Sequence, residues 1–261
     1  MTNKPWRSRP PGTAKRRLLV GALLTALLGA IGVVLPTAAW SHGSAISPPA
    51  RQYSCWDRWG DDFQNPEMQT EDPMCWQAWR ADPQAMWGWN SLYRENVAGD
   101  HQGALPDGQL CSAGDTGGNG RYTSLDRPGN WHATPVDNNF TFVNHDQALH
   151  GADYYRVYVS KQGFDPKVDE LTWSDLELVA DTGVVEPGEG EPSDLPDLNG
   201  VSVSIDVSAP GRTGHHVVFM IWQASHLDQT FYSCSDVEFP QTSGGKERNF
   251  WQRFGEFLGI G

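Results

Sequence analysis

The sequence predicts a mostly β protein folded as a β-sandwich, with a large, partly helical loop region inserted between its early strands. Short segments rich in β-forming residues follow one another in the second half of the chain, and turn residues separate them. The 261 residues include 28 glycines and 18 prolines, and only 20% are charged. This composition favours short strands joined by many turns over long amphipathic helices.

The first element is an extended segment over residues 42–53, which Pro48 and Pro49 interrupt. Residues 55–135 then change character, because six tryptophans and many turn residues are concentrated near the start of this block. Within it, the apolar spacing of residues 73–97 is typical of one or two short helices. We therefore expect an insertion within the sandwich and not an independent domain.

Five strands are expected after the insertion. Residues 140–143 and 201–207 alternate between apolar and polar side chains, so each presents one apolar face. Residues 216–222 form a continuous apolar run, which is typical of a buried strand. Residues 186–199 are acidic and rich in proline and glycine, and we expect a solvated loop there. The five strand segments are 140–143, 154–159, 201–207, 216–222 and 231–239.

Residues 1–41 have the composition of a secretory signal peptide. They contain six basic residues and no acidic residue, and a long apolar run precedes a short end of small residues. Ala39 and Ser41 place small residues at the −3 and −1 positions of a cut before His42. A rival cut after Ala39 would leave Trp40 first, and an uncleaved leader would act as a membrane anchor. We favour the cut before His42 and a secreted protein.

The sequence is compatible with two export routes. Arg16 and Arg17 precede the apolar run, which fits twin-arginine export as well as the general secretory (Sec) route.

We expect residues 42–240 to form the folded domain. Residues 241–261 are expected to form a linker and a short amphipathic helix. This helix either packs on the domain, which we favour, or contacts a partner or the cell surface.

Removal of the leader makes the remaining chain strongly acidic. Six of the 19 basic residues lie in the leader, so 13 remain against 32 acidic residues and the formal charge becomes −19. This charge excludes nucleic acid and an anionic membrane surface as partners, and it permits a neutral polymer. Twelve tryptophans are many for this length, and exposed aromatic rings suit stacking on sugars. We expect a monomer without stable membrane insertion after cleavage.

The four cysteines all follow the leader, and an even number in a secreted chain predicts two disulfides. Three pairings are possible. We favour Cys55–Cys75, which is local, together with Cys111–Cys234, which ties the inserted region to the last strand. A zinc site is the alternative, but the spacing contains no C-x-x-C pair.

A mature N-terminal His42 offers two nitrogen donors to one metal ion, the α-amine and an imidazole nitrogen. A second imidazole would complete a three-nitrogen site, which suits Cu(II) in tetragonal geometry. Spacing alone does not choose that imidazole among the other histidines. His215 and His216 are adjacent on a strand, so their side chains point to opposite faces and do not share a metal. His150 is a candidate because it lies in a turn before a strand, at an expected exposed edge.

Six ordered segments resemble the bacterial lytic polysaccharide monooxygenases of auxiliary-activity family ten. The chain from His42 reads HGSAISPPARQY, and the later segments keep the order of the family. These are EDPMCWQAW at 71–79, LPDGQLC at 105–111, HGADY at 150–154, KQGFDP at 161–166 and DQTFY at 228–232. The resemblance extends from residue 42 to about residue 240.

This resemblance implies a fibronectin-III-like or immunoglobulin-like sandwich with a flat face that holds one copper ion. It implies that His42 and His150 are the copper ligands, through the amine and two imidazoles. Phe231 matches the axial aromatic position, and Ala148 matches the small residue that packs beside the other axial face. Gln229 matches a position beside the metal where relatives carry Gln or Glu. His42, His150, Phe231 and Gln229 are therefore the candidate catalytic residues.

Trp87 matches a surface aromatic of relatives that act on cellulose, so it is the candidate substrate-binding residue. Gln84 departs from the family pattern, since close relatives carry Asn there, and the fine substrate preference is therefore open. The implied activity is oxidative cleavage of glycosidic bonds, at C1 or C4, in crystalline cellulose, with chitin as a second polymer. Dioxygen or hydrogen peroxide and an external electron donor would take part in the reaction.

Three other classes compete with this activity. A non-catalytic polysaccharide-binding protein would share the aromatic surface but need no copper ligands. A copper carrier also uses an N-terminal histidine on a sandwich, but it would not explain twelve tryptophans. A glycoside hydrolase needs two carboxylates across a cleft, and no spacing among the acidic residues singles out such a pair.

Overall fold

The structure is a computed structural model that describes residues 42–114, 120–193, 195, 199–225 and 228–241. The expected leader over residues 1–41 and the tail from residue 242 onward lie outside the described residues. Strands, in chain order, are β1 (Gly43–Ser47), β2 (Tyr93–Glu95), β3 (Thr134–Pro135), β4 (Asn139–Asp146), β5 (Tyr154–Ser160), β6 (Leu176–Asp181), β7 (Glu191–Pro192), β8 (Val201–Ser208), β9 (Gly214–Gln223) and β10 (Gln229–Phe239).

Two antiparallel sheets pack against each other. Within the described residues, one sheet has the strand order β1-β4-β8-β7, and the other has β2-β10-β9-β5-β6, with β3 running parallel to β10. A buried cluster takes side chains from both sheets, including Phe142 of β4, Ile205 of β8 and Met220 of β9. This arrangement confirms the predicted β-sandwich.

The strands follow the hydrophobic patterns of their sequences. In β8, buried residues alternate with residues that are partly or fully exposed, because only one face of this strand meets the core. In β9, residues 216–223 are all buried, because β9 lies between β10 and β5 in the middle of its sheet. The continuous apolar run therefore marks the central strand, as the sequence predicts.

The expected extended segment over residues 42–53 is wrong in its second half. Strand β1 ends at Ser47, and a helix begins at Arg51. The Arg51 side chain is buried, and its Nε and Nη2 atoms bind the two carboxylate oxygens of Asp236 in β10 at 2.7 and 3.2 Å. This long-range ion pair is invisible to local patterning, and it docks the helix on the second sheet.

A second correction concerns residues 186–199, which the sequence assigned to a loop. Glu191 and Pro192 form the short edge strand β7 against Ser202 and Val201 of β8. Gly190 makes this pairing possible, because a Cβ atom there would clash with the carbonyl oxygen of Ser202.

The region between β1 and β4 contains several short helices, as expected. They pack in a second buried cluster that includes Met68, Leu105 and Trp131. Helices in the described residues are Arg51–Trp59, Met68–Glu71, Pro73–Ala81, Gln84–Trp87 and His101–Ala104, with 3-10 turns at Gly60–Asp62, Thr123–Asp126 and Trp173–Asp175.

Two disulfides hold this helical region together and join it to the sandwich. Cys55–Cys75 links the helix Arg51–Trp59 to the helix Pro73–Ala81. Cys111–Cys234 closes a much longer loop and ends in β10. These are the two pairs favoured from the sequence. Across the described residues, no helix has both the length and the apolar character that a membrane crossing requires.

Candidate metal centre

The pairing of β1 with β4 holds His42 beside the turn that carries His150. Gly43 lies opposite Asp146 in the antiparallel register. The backbone N–H of Gln147 donates a hydrogen bond to the carbonyl of His42 at 3.0 Å, and the N–H of Gly43 donates to the carbonyl of Asn90 at 2.9 Å. The backbone of His42 is thus fixed from both sides at the end of the first sheet.

The turn after β4 is organised around the carboxylate of Asp146. This side chain is fully buried, and it accepts hydrogen bonds from the backbone N–H groups of Ala148 at 3.1 Å and Gly151 at 3.0 Å. Burial raises the pKa of Asp146, while backbone hydrogen bonds from Gly151, Ala148, His150 and Leu149 lower it. Leu149 adopts a left-handed backbone with φ of 57° and leaves its side chain 47% exposed.

His150 is buried, with only 2% of its surface exposed, so the expectation of an exposed edge position is wrong. Its ring lies 6.4 Å from the indole of Trp222, centroid to centroid. Ser225 donates a hydrogen bond to the His150 carbonyl at 2.6 Å. His150 is buried because it packs against Trp222 of β9. The sequence does not reveal this contact.

Trp222 packs beneath the segments that carry His42 and His150, and we call it the floor of the site. Its Nε1–H donates to the carbonyl of Gly151 at 2.9 Å, one residue after His150. The ring also lies against Gly43, where any Cβ atom would collide with the indole and with the carbonyl oxygen of His145. A glycine directly after His42 therefore lets β1 approach Trp222 closely.

Phe231 and Gln229 approach the same region from β10. The Phe231 ring is buried and stacks on Trp222, with centroids 4.5 Å apart. Gln229 is half-buried, two residues earlier, and so shares the face of β10 that carries Phe231. Its Nε2 atom donates to the Glu95 carboxylate at 3.1 Å. Among the described residues, nothing donates a hydrogen bond to its buried Oε1 atom.

Trp87 ends the helix Gln84–Trp87 and is 41% exposed, and its ring contacts Phe63 edge-on at 5.4 Å. Asn90, three residues later, donates a side-chain hydrogen bond to Gln147 Oε1 at 3.0 Å. Because the Asn90 carbonyl also accepts from Gly43, this residue connects the Trp87 segment to both histidine-bearing segments.

Three residues of this site were missed by sequence reasoning: Trp222, Asp146 and Asn90. Trp222 is the last aromatic of an apolar strand, where packing is the ordinary interpretation. Asp146 ends a strand directly before a turn, which is a common place for a carboxylate that accepts backbone hydrogen bonds. That position is the one sequence signal that could have identified it.

The donor set fits copper only if His42 is N-terminal. Within the described ranges, no group of three or more His, Cys, Asp and Glu side chains could hold a metal ion. His145 lies next to Asp146, but the alternation of β4 turns its side chain to the opposite face from Asp146. Two imidazoles and an α-amine would supply three nitrogen donors, a set that suits Cu(II).

A family model described as "lytic polysaccharide mono-oxygenase, cellulose-degrading" matches residues 42–237. The chain belongs to the lytic polysaccharide monooxygenase family. Members of this family are copper-dependent oxidoreductases that cleave polysaccharides. The solved structure of LPMO10B from Micromonospora aurantiaca is 59% identical, with a TM-score of 0.72, and the match covers 76% of this chain and 99% of that chain.

Two curated relatives of this chain differ in the polymer that their names mention. The chitin-binding protein CbpD of Pseudomonas aeruginosa is 33% identical, over 90% of this chain and 56% of its own length. The lytic cellulose monooxygenase of Streptomyces ambofaciens is 32% identical, over 88% of this chain and 62% of its own length. The chain thus spans little more than half the length of these relatives.

Proposed function

We propose that this chain is a secreted monooxygenase that binds one copper ion and oxidatively cleaves crystalline cellulose. One observation carries the proposal. The backbone of His42 is hydrogen-bonded to Gln147 in the turn that carries His150, so the two proposed ligand residues lie on neighbouring segments. The Trp222 floor and the stacked Phe231 lie beside them.

The proposed site requires that a leader over residues 1–41 is removed before His42. The start of the family match at residue 42 supports this cut. We assign residues 42–240 to the copper-binding domain and residues 241–261 to a linker and short tail. The leader sequence supports export by the general secretory route, with twin-arginine export as the other route.

In the proposed site, the α-amine and imidazole of His42 and the imidazole of His150 hold the copper ion. Bound copper would supply the one-electron chemistry with dioxygen or hydrogen peroxide that protein side chains lack. Phe231 and Ala148 would border the metal and restrict which molecules reach it. The buried Oε1 atom of Gln229 is an acceptor that can hold a proton-donating group beside the metal.

An external electron donor completes the proposal. Both disulfides are formed, and the described residues include no free cysteine. The chain therefore offers no dithiol that could deliver electrons to the metal. A small diffusible reductant or an electron-transfer protein would have to reach the copper face.

Cellulose is the proposed substrate because Trp87 presents an exposed ring on the segment that Asn90 fastens to the site. An exposed ring on a flat face can stack on sugar rings of a crystalline polymer. The family description mentions cellulose, and so does the name of the Streptomyces relative. The Pseudomonas relative is named for chitin, so chitin remains the second polymer to be tested.

Two alternative functions keep parts of the same structure. A non-catalytic polysaccharide-binding protein would use Trp87 without chemistry at the histidines. A copper carrier would use the histidines without binding polymer. Catalysis requires both properties together with a reductant, so one experiment separates the enzyme from both alternatives.

The experiment is mass spectrometry of soluble products. Copper-loaded protein beginning at His42 is incubated with crystalline cellulose or crystalline chitin, with and without a reductant. Reductant-dependent cello-oligosaccharides oxidised at C1 or C4 are the expected products. Oxidised products from chitin alone would contradict the cellulose assignment, and the absence of oxidised products from both polymers would contradict the enzymatic one.

A further inference from the structure

The carboxylate of Asp146 lies where the two proposed copper-ligand segments meet. Its backbone is opposite Gly43, the residue after His42. Its side chain is fully buried and accepts backbone hydrogen bonds within the turn that contains His150. One residue thus contacts the segments that carry all three proposed nitrogen donors.

The turn that carries His150 has a backbone conformation that other contacts must stabilise. Leu149 adopts a positive φ of 57°, which residues other than glycine rarely adopt. Such a backbone is strained and persists only where surrounding contacts impose it. The hydrogen bonds from Ala148 and Gly151 to Asp146 enclose Leu149 on both sides and impose this conformation.

The direction of the His150 side chain depends on the same backbone. A residue that follows a left-handed residue points differently from one in a regular turn, since the chain direction changes at the left-handed position. Without the carboxylate, the enclosed N–H groups would lack their acceptor at a buried site, and the turn would rearrange to satisfy them.

We propose that Asp146 is a positioning residue of the copper site, which sets the His150 turn in its metal-binding conformation before any metal is bound. The proposal rests on the proposed copper function. It assigns no contact between Asp146 and the metal. Its role is to pre-organise a ligand, as the outer partners of metal ligands commonly do.

The test compares Asp146→Asn with Asp126→Asn. Asparagine has the shape of aspartate but loses the charge and one acceptor oxygen. Asp126 is a matched control because its carboxylate also accepts a backbone hydrogen bond, from Ser112 at 2.9 Å, in the helical region instead of beside His150. Each protein is produced with its leader in an exporting host, and copper binding is measured by calorimetry and by electron paramagnetic resonance.

Asp146→Asn is expected to weaken copper binding by about 10- to 100-fold and to change the Cu(II) resonance spectrum. Asp126→Asn should keep the affinity and spectrum of the parent protein even where it lowers thermal stability. An Asp146→Asn protein with parental affinity and spectrum would overturn the proposal while leaving the copper function intact. A parent protein that binds no copper would overturn the proposed function itself.

A second measurement needs no variant and covers the case in which Asp146→Asn does not fold. Hydrogen exchange is followed in the metal-free parent protein at the amides of Ala148 and Gly151. Slow exchange at both amides is expected, because the Asp146 hydrogen bonds form before metal binding. Exchange as fast as in an open loop would show that the turn is not pre-organised and would overturn the proposal.

Discussion

The indole of Trp222 stacks on the ring of Phe231, with centroids 4.5 Å apart and 27° between the ring planes. The same indole donates a hydrogen bond to Gly151 and lies against His150. Trp222 therefore connects Phe231 to the turn that carries His150, the second proposed ligand. One side chain thus joins β10 to the proposed metal site.

Replacement of Trp222 by Phe should disturb both stability and metal binding. The variant keeps an aromatic ring but leaves the buried Gly151 carbonyl without its donor, which costs about 1–3 kcal/mol of unfolding free energy. We expect a lower midpoint in urea denaturation together with weaker copper binding, because the His150 turn loses its anchor.

Trp131→Phe is the matched control for this variant. Trp131 is also buried and also donates its Nε1–H to a carbonyl, that of Arg127 at 2.9 Å, but it packs in the other core cluster. It should lose stability without a change in copper affinity. Equal copper affinity in Trp222→Phe and the parent protein would count against the anchoring role.

Trp87→Ala should weaken adsorption to crystalline cellulose and leave copper binding unchanged. Loss of one stacking ring costs about 1 kcal/mol, or roughly five- to tenfold in affinity. Trp87→Phe retains a ring and should recover most of the binding in the same adsorption isotherms. Unaltered adsorption of the alanine variant would make Trp87 a packing residue, and loss of copper would place it in the metal site.

Acid should destabilise the fold through His101. Burial, assisted by Arg156, lowers the pKa of His101 to about 4, against an ordinary value of 6.5. Between these values the unfolded chain binds more protons than the folded chain, so this contribution to stability is complete above pH 6.5 and is lost as pH falls towards 4. The total change is about 3 kcal/mol.

The variant His101→Gln isolates this contribution. Glutamine can still bond to the hydroxyls of Tyr154 and Tyr232, which contact the two ring nitrogens of His101 at 2.7 and 2.9 Å. Other buried groups titrate in the same range, including Asp126, whose pKa burial raises to about 6. These groups are present in both the parent protein and His101→Gln, so their contributions cancel in the difference between the two unfolding free energies. Because only the parent protein contains His101, that difference should change with pH. A constant difference from pH 7 to pH 4 would refute the assignment.

The secreted protein should begin at His42. Intact-mass measurement of protein collected from the culture medium is expected to give the mass of residues 42 to the C-terminus, less four hydrogens for two disulfides. The rival cut after Ala39 would give a protein that begins with Trp40. Active, copper-containing material with that mass would rule out the proposed amine ligand.

Most of the sandwich is predictable from the sequence because its strands are half-buried or fully buried, and each state leaves its own hydrophobic pattern. The alternation in Val201–Ser208 and the apolar run in β9 are examples. The helix that begins at Arg51 escapes such patterns, since the buried pair with Asp236 decides it across 185 positions of sequence. Local propensity carries no information about that partner.

The candidate site divides in a similar way. His42 is identified through the expected leader cut. His150, Phe231 and Gln229 are identified through resemblance to a family, because their residue types alone permit ordinary packing. Trp222 and Asp146 are found only in the structure. Their contacts are made with backbone atoms of distant or rearranged segments, such as the Gly151 carbonyl and the Ala148 amide, and backbone atoms leave no mark in the sequence.

The central claim is that His150 and the N-terminal His42 hold one copper ion, and a calorimetric copper titration of three proteins tests it most directly. The parent protein beginning at His42 should bind one copper ion per chain. His150→Ala should weaken copper binding by more than about 100-fold. Loss of a proposed ligand should cost more affinity than loss of Asp146, which only positions that ligand. His145→Ala removes the neighbouring buried histidine and should keep parental affinity. Parental affinity in His150→Ala, with loss in His145→Ala, would contradict the proposed site.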